Sequence, residues 1–283
     1  MMKKNPIGIY EKAIPNCFDW ADKIRIAKAA GFDFIEISVD ESDERLARLK
    51  WSKESRQFLR NLLVKEEFEI RSMCLSAHRR FPYGSKNEKI RQKAYQIMTE
   101  AIELAKDLGI RNIQLAGYDV YYEPADAETK ALFKEGLKQA VREAAAANIM
   151  LSIEIMDTEF IGTISRCMEY IEEIASPWLK IYPDLGNLSR WTDDPLAELQ
   201  LGWPYIVAIH LKDTQPGVFK CVPFGQGTVD FTGLLEKIKE WQYSGPFLIE
   251  MWADNEQEIS AEEAAIQIKA AKEWLSQKAG GMF

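Results

Sequence analysis

The chain has 283 residues, 47% of them hydrophobic, with 44 acidic against 36 basic side chains and a formal net charge of −8. That is enough apolar material for one large core, and the acidic balance opposes the continuous basic face that a nucleic-acid partner needs. No apolar run approaches the length of a membrane span, and the opening MMKKNPIGIYEKA lacks the apolar stretch of a secretory signal. Cys17, Cys74, Cys167 and Cys221 are scattered without a C-x-x-C pair, so free thiols in a cytoplasmic protein with no membrane partner are expected.

In chain order, the first apolar run is 5–10 (NPIGIY). Asp19 then stands where a helix N-cap belongs, with Trp20, Ile24 and Ala27 at helical spacing behind it. Gly31 separates that helix from the second run, 32–40 (FDFIEISVD). The third run, 68–78 (FEIRSMCLSAH), precedes Asn87, the cap of a helix whose Ile90, Ala94, Ile97, Met98, Ala101 and Ala105 form one stripe. Gly109 leads into the run 111–119 (RNIQLAGYD) and Asn148 into 148–157 (NIMLSIEIMD). Both residues take the left-handed conformation cheaply, as a helix C-terminus requires.

The sixth run is 179–187 (LKIYPDLGN), followed by a loop and short helix over 191–204. The seventh is 205–213 (YIVAIHLKD) and the eighth 245–252 (GPFLIEMW), and the closing 278–283 (KAGGMF) reads as a mobile end. Eight near-continuous apolar strands alternating with amphipathic helices predict an α/β fold, a single (β/α)8 TIM-barrel domain over residues 1–283. An open doubly wound sheet would be expected to carry a Gly-rich phosphate fingerprint after its first strand, and none is there.

The last four strands end on Glu154, Asp184, His210 and Glu250. Chemistry in such barrels sits at the C-terminal strand ends, where these four would be neighbours. Each alone has a plain structural reading: a carboxylate as helix cap or ion-pair partner, Asp184 as a turn residue, His210 as a core histidine. Together the carboxylates would repel one another without a cation. The mixed oxygen and nitrogen donors suit one divalent metal, Zn²⁺, Mn²⁺ or Co²⁺.

The four-residue constellation resembles the xylose-isomerase-like barrels and, within them, the ketose 3-epimerases. Longer blocks, among them GFDFIEISVDESDERLARL, MCLSAHRRFPYGS, IRNIQLAGYDVYY, YPDLGNLS, HLKDTQPGVFK and VPFGQG, are similar to the L-ribulose-5-phosphate (L-xylulose-5-phosphate) 3-epimerase family over essentially the whole chain. The resemblance implies inversion at C3 of a small phosphorylated ketose through a metal-stabilised enediolate. Glu154 and Glu250 would be the acid/base pair as well as metal ligands, Asp184 and His210 would complete the coordination, and the assembly would be a homodimer.

Many non-phosphorylated ketose 3-epimerases carry His three residues after the metal Asp and Arg shortly after the metal His. Here those places hold Asn187 and the run LKDTQPG with Lys212. Asn187, Lys212 and His78 are therefore the candidates for contacting the substrate oxygens. A ketose held through C2 and C3 at strands five to eight extends its phosphate toward strands one to three, where Lys12 and Arg45 are the leading partners and Arg79 and Arg80 lie near. The amides of VPFGQG offer a second placement. The same chemistry in an aldose–ketose isomerase, such as a hexulose-6-phosphate isomerase, would shift hydrogen between C1 and C2 instead. A trinuclear repair nuclease on this barrel would need many more than the two histidines present. A non-catalytic sugar-binding barrel would close its metal site entirely with protein ligands.

Overall fold

The computed structural model describes residues 4–283. Among the described residues ten strands form: β1 (Ile7–Tyr10), β2 (Phe34–Val39), β3 (Glu69–Leu75), β4 (Asn112–Ala116), β5 (Met150–Glu154), β6 (Leu179–Tyr182), β7 (Ile209–Leu211), β8 (Asp213–Gln215), β9 (Val218–Val222) and β10 (Phe247–Ile249). Eight of them make one parallel sheet in the order β6-β5-β4-β3-β2-β1-β10-β7. Parallel bridges pair Ile181 with Ile206 and Asp184 with His210, and His210 N donates to Pro183 O at 2.8 Å. These contacts join the two ends of the sheet and close the barrel.

All eight expected strands are present. The antiparallel hairpin β8–β9 is an addition that apolar runs do not reveal, because β9 is largely exposed.

Among the described residues ten α-helices pack outside: α1 (Trp20–Ala29), α2 (Asp43–Leu46), α3 (Lys53–Lys65), α4 (Glu88–Leu108), α5 (Ala127–Ala146), α6 (Ile164–Ile174), α7 (Leu185–Trp191), α8 (Pro195–Gly202), α9 (Phe231–Glu240) and α10 (Ala261–Lys278). Their limits are set locally. Asp19 accepts from Asp22 N to start α1, and Asn87 accepts from Lys89 N to start α4. Gly109 ends α4 at φ +78°, and Asn148 after α5 has φ +57°. Each relieves the unpaired carbonyls of a helix end at little steric cost.

Strand alternation sorts side chains to the two sides of the barrel wall. On β2, Ile35, Ile37 and Val39 join the large core beneath the helices. Full burial of each such aliphatic side chain contributes roughly 1.5–3 kcal/mol. The opposite parity, Phe34, Glu36 and Ser38, faces inward. A separate small apolar cluster of Tyr10, Phe34, Cys74, Tyr182, Ala208 and Leu248 fills the barrel interior. Gly8 makes room for it, since a Cβ there would lie 2.2 Å from the Phe34 ring.

The closing residues depart from expectation. Met282 and Phe283 are buried, Asn5 N donates to Met282 O at 2.8 Å, and the Phe283 and Phe247 ring centroids are 5.3 Å apart. Apolar Met and Phe at 282–283 cover the N-terminal end of β10, and burial of that surface outweighs the freedom of a loose end. No helix among the described residues is long and apolar enough to cross a membrane.

Glu11, directly after β1, ties the first quarter of the barrel together. Its fully buried carboxylate accepts from Lys23 Nζ (3.1 Å), Arg45 Nη1 (2.7 Å), Arg48 Nη1 and Nη2 (2.5 and 2.6 Å) and Ser38 N (2.8 Å). Burial would push this carboxyl up, but Arg48, Lys23 and Arg45 together hold it well below the usual range. Breaking a buried ion pair from one side strands the remaining charges. Glu11→Gln is therefore expected to cost about 3–5 kcal/mol in denaturant unfolding. Because the folded-state value is depressed, the wild-type advantage is expected in full above the ordinary carboxylate pKa of 4.5 and to decline as the pH falls below it.

Candidate metal centre

Glu154 is the last residue of β5, Asp184 follows β6, His210 is the middle residue of β7, and Glu250 follows β10. Parallel registry brings all four to the same barrel mouth, and each offers a ligand atom within 4.8 Å of the others. His210 Nδ1 is the hub: Glu154 Oε1 lies at 3.0 Å, Glu250 Oε2 at 3.7 Å and Asp184 Oδ2 at 3.8 Å. The ring is braced by Tyr182, with centroids 4.4 Å apart.

Two further residues complete the cluster. Lys212 Nζ sits 2.9 Å from Asp184 Oδ2 and 3.0 Å from Glu250 Oε2. Glu36, from the middle of β2 across the barrel, places Oε1 3.2 Å from His210 Nε2. Four carboxylates against one ammonium leave three negative charges, or two if His210 carries a proton. Asp184 Oδ2 and Glu250 Oε2 are buried without an aligned hydrogen-bond donor, so their compensation is the ammonium contact and the more distant His210 ring. Orphaned oxygens beside an imidazole nitrogen, within a net negative enclosure, fit a divalent cation in both donor type and charge.

The titration behaviour reflects the same shortage of positive charge. Burial pushes Glu154 up. Burial, with Glu250 beside it, pushes Asp184 up to about 8 despite Lys212. For Glu250, Lys212 and His210 outweigh burial and hold it down at about 2. For His210, the flanking Glu154 and Glu36 overcome burial and raise it well above its ordinary value.

Asp184 caps α7 by accepting from Asn187 N at 2.8 Å, which fixes its carboxylate plane. Asn187 is fully buried and donates Nδ2 to Ile155 O at 2.9 Å, leaving its Oδ1 without a partner. Asn187 and Lys212 thus lie against the four-residue group. The other sequence candidates make their contacts elsewhere. His78 is buried, with Nε2 3.2 Å from Ala94 O of α4 and its ring stacked on Tyr83 at 4.5 Å. Arg45 is engaged by Glu11 and by Asn16 Oδ1 at 2.8 Å. Lys12 pairs with Asp40, lies 5.9 Å over the Tyr10 ring, and keeps 23% of its side chain exposed.

The amides of VPFGQG are already occupied: Gly225 N and Gly227 N both donate to Asp213 Oδ2, at 2.9 and 3.0 Å. Glu36 escapes the sequence reading because it sits inside an apolar run rather than at its end. The signal available was a carboxylate flanked by Ile35 and Ile37, on the parity opposite to the helix-facing side chains.

An eight-stranded parallel barrel with a buried acid and histidine group at its C-terminal mouth fits a xylose isomerase-like TIM barrel, and residues 24–278 match that family. The L-ribulose-5-phosphate 3-epimerase UlaE of Escherichia coli (strain SE11) is 50% identical over 97% of this chain and 95% of that protein. UlaE of Shigella boydii serotype 18 (strain CDC 3083-94 / BS512) is 50% identical over the same shares. The chain therefore belongs, among these barrels, to the L-ribulose-5-phosphate 3-epimerase family.

Two solved structures share the fold. A D-psicose 3-epimerase in the presence of D-fructose has a TM-score of 0.81 at 15% identity, covering 98% of this chain and 100% of that one. An L-ribulose 3-epimerase has a TM-score of 0.76 at 16% identity, covering 98% and 95%.

Burial lowers His78 to about 4. With only two histidines in the chain, ring-proton NMR is expected to show one of them, His78, neutral down to about pH 4. The folded value lies below the ordinary 6.5, so His78 favours folding above pH 6.5 and that contribution is lost progressively toward pH 4.

Proposed function

We propose that the chain is a divalent-metal-dependent 3-epimerase that interconverts L-xylulose 5-phosphate and L-ribulose 5-phosphate. The carrying observation is that Glu154 Oε1 and Glu250 Oε2 lie 3.0 and 3.7 Å from His210 Nδ1, in a chain half identical to L-ribulose-5-phosphate 3-epimerase UlaE. Inversion needs a base on one face of C3 and an acid on the other, and two carboxyl groups of one ligand set serve both directions. One glutamate takes the C3 proton, and the electron pair moves to the C2 oxygen to give an enediolate. The other glutamate returns a proton to the opposite face of C3 and the C2 ketone re-forms, so atoms and charge balance.

Glu154, Asp184, His210 and Glu250 would hold the ion, with Zn²⁺, Mn²⁺ and Co²⁺ all matching this donor set. When bound, it supplies a Lewis acid for the C2 and C3 oxygens. Lys212 lies against the same carboxylates and is held charged by them, so it supplies a second positive pole for oxygen developing negative charge at C2. Asn187 Oδ1, unpartnered, accepts from a substrate hydroxyl in this reading.

For the phosphate, Lys12 is the favoured partner. It stands after β1 on the half of the mouth opposite the ligand group and retains exposure, whereas Arg45 is committed to Glu11. A cytoplasmic location, expected from the free cysteines, and a homodimer, implied by the family resemblance, belong to the same proposal.

Positioned proton transfer contributes roughly 10²–10⁴-fold, so Glu154→Gln and Glu250→Gln are each expected to lose at least that factor in kcat while staying folded. In D₂O, wild-type enzyme is expected to place deuterium at C3 of the pentulose phosphate. Deuterium at C1 would instead identify an aldose–ketose isomerase. Lys12→Met should raise KM for the phosphorylated ketose by about 10–100-fold, the value of one charge-assisted contact, with little change for the unphosphorylated sugar.

A further inference from the structure

The metal ligand His210 uses only one of its ring nitrogens within the ligand group. Nδ1 faces Glu154, Asp184 and Glu250, while Nε2 points to Glu36 Oε1 at 3.2 Å. Glu36 is fully buried, and its other oxygen accepts from Ser72 Oγ at 2.5 Å. Ser72 is its registry partner on β3, so Glu36 is fixed on the barrel wall. A carboxylate in a dry interior costs several kcal/mol unless it is used, and an apolar residue of similar volume would fill the space without that cost.

We propose that Glu36 is a positioning residue for the metal centre. Being acceptor-only when ionised, it demands a proton on Nε2 of His210 and so leaves the Nδ1 lone pair facing the ion. A ring without this partner could place its single proton on Nδ1, where it would block coordination. Ser72 holds Glu36, Glu36 holds the imidazole proton, and Tyr182 braces the ring face. The inference rests on the reading of the four residues as a metal site.

Glu36→Gln tests the selection itself. The amide offers either an acceptor or a donor to Nε2, so it keeps the shape and loses the demand for one tautomer. Outer-shell partners of ligand histidines typically tune affinity by 10–100-fold. Metal-free wild type and variant would be titrated with Zn²⁺ against a chromophoric chelator, with apo-protein Tm measured alongside. The expected result is a Zn²⁺ Kd raised at least about tenfold in Glu36→Gln. The Nε2–H of His210 should also be slow to exchange in ¹⁵N-histidine spectra of the Zn²⁺-loaded wild type and fast in the variant. Ser72→Ala keeps the carboxylate but frees it, and is expected to raise Kd by a smaller factor; it carries the test if Glu36→Gln does not fold.

A folded variant with wild-type Kd and a lowered Tm would make Glu36 a packing residue and overturn the proposal. Absence of Zn²⁺ binding by wild type would overturn the metal reading, and the positioning role with it.

Discussion

The barrel mouth is governed by a shortage of positive charge. Glu36, Glu154, Asp184 and Glu250 all approach one imidazole and one ammonium, most of them out of contact with water. In such surroundings like charges cannot be diluted by solvent, so either protons or a cation must enter. Burial pushes the Asp184 and Glu154 carboxyls up in keeping with that shortage. Strand registry, the α7 cap and the closing β6–β7 bridges hold these charges at close range when repulsion would separate them.

Glu11 provides the contrast within the same molecule. It too is a fully buried carboxylate near a strand end, but Arg45, Arg48 and Lys23 surround it and leave nothing for an outside ligand. One acid is neutralised internally and serves to join β1, β2 and α1. The others are left short of cations, with Lys212 and His210 shared among them. Burial alone therefore does not mark a functional acid; the count of cations around it does.

The architecture was legible in the sequence because burial on both faces forces parallel strands to be apolar and helix ends to carry capping residues. Glu154, Asp184, His210 and Glu250 were legible because each follows a short apolar run, although His210 proves to be the middle residue of β7. Glu36 was not, since period-two alternation hides a polar residue whose partners come from β3 and β7. Nor was the fate of Arg45: a basic side chain after a strand looks available until the acid opposite it, Glu11, is located in space. The hairpin β8–β9 was missed for a different reason, as its second strand pairs without being buried.

Asp213 carries a consequence for phosphoryl binding. Its carboxylate gathers the amides of Thr214, Gly225, Gly227 and Val229, making the turn behind β9 its own host and guest. Barrels commonly lend that corner to a phosphoryl group. Here the cradle comes already filled, so the corner is rigid without a visitor. A phosphoryl group entering it would compete with the Asp213 carboxylate for the same amides.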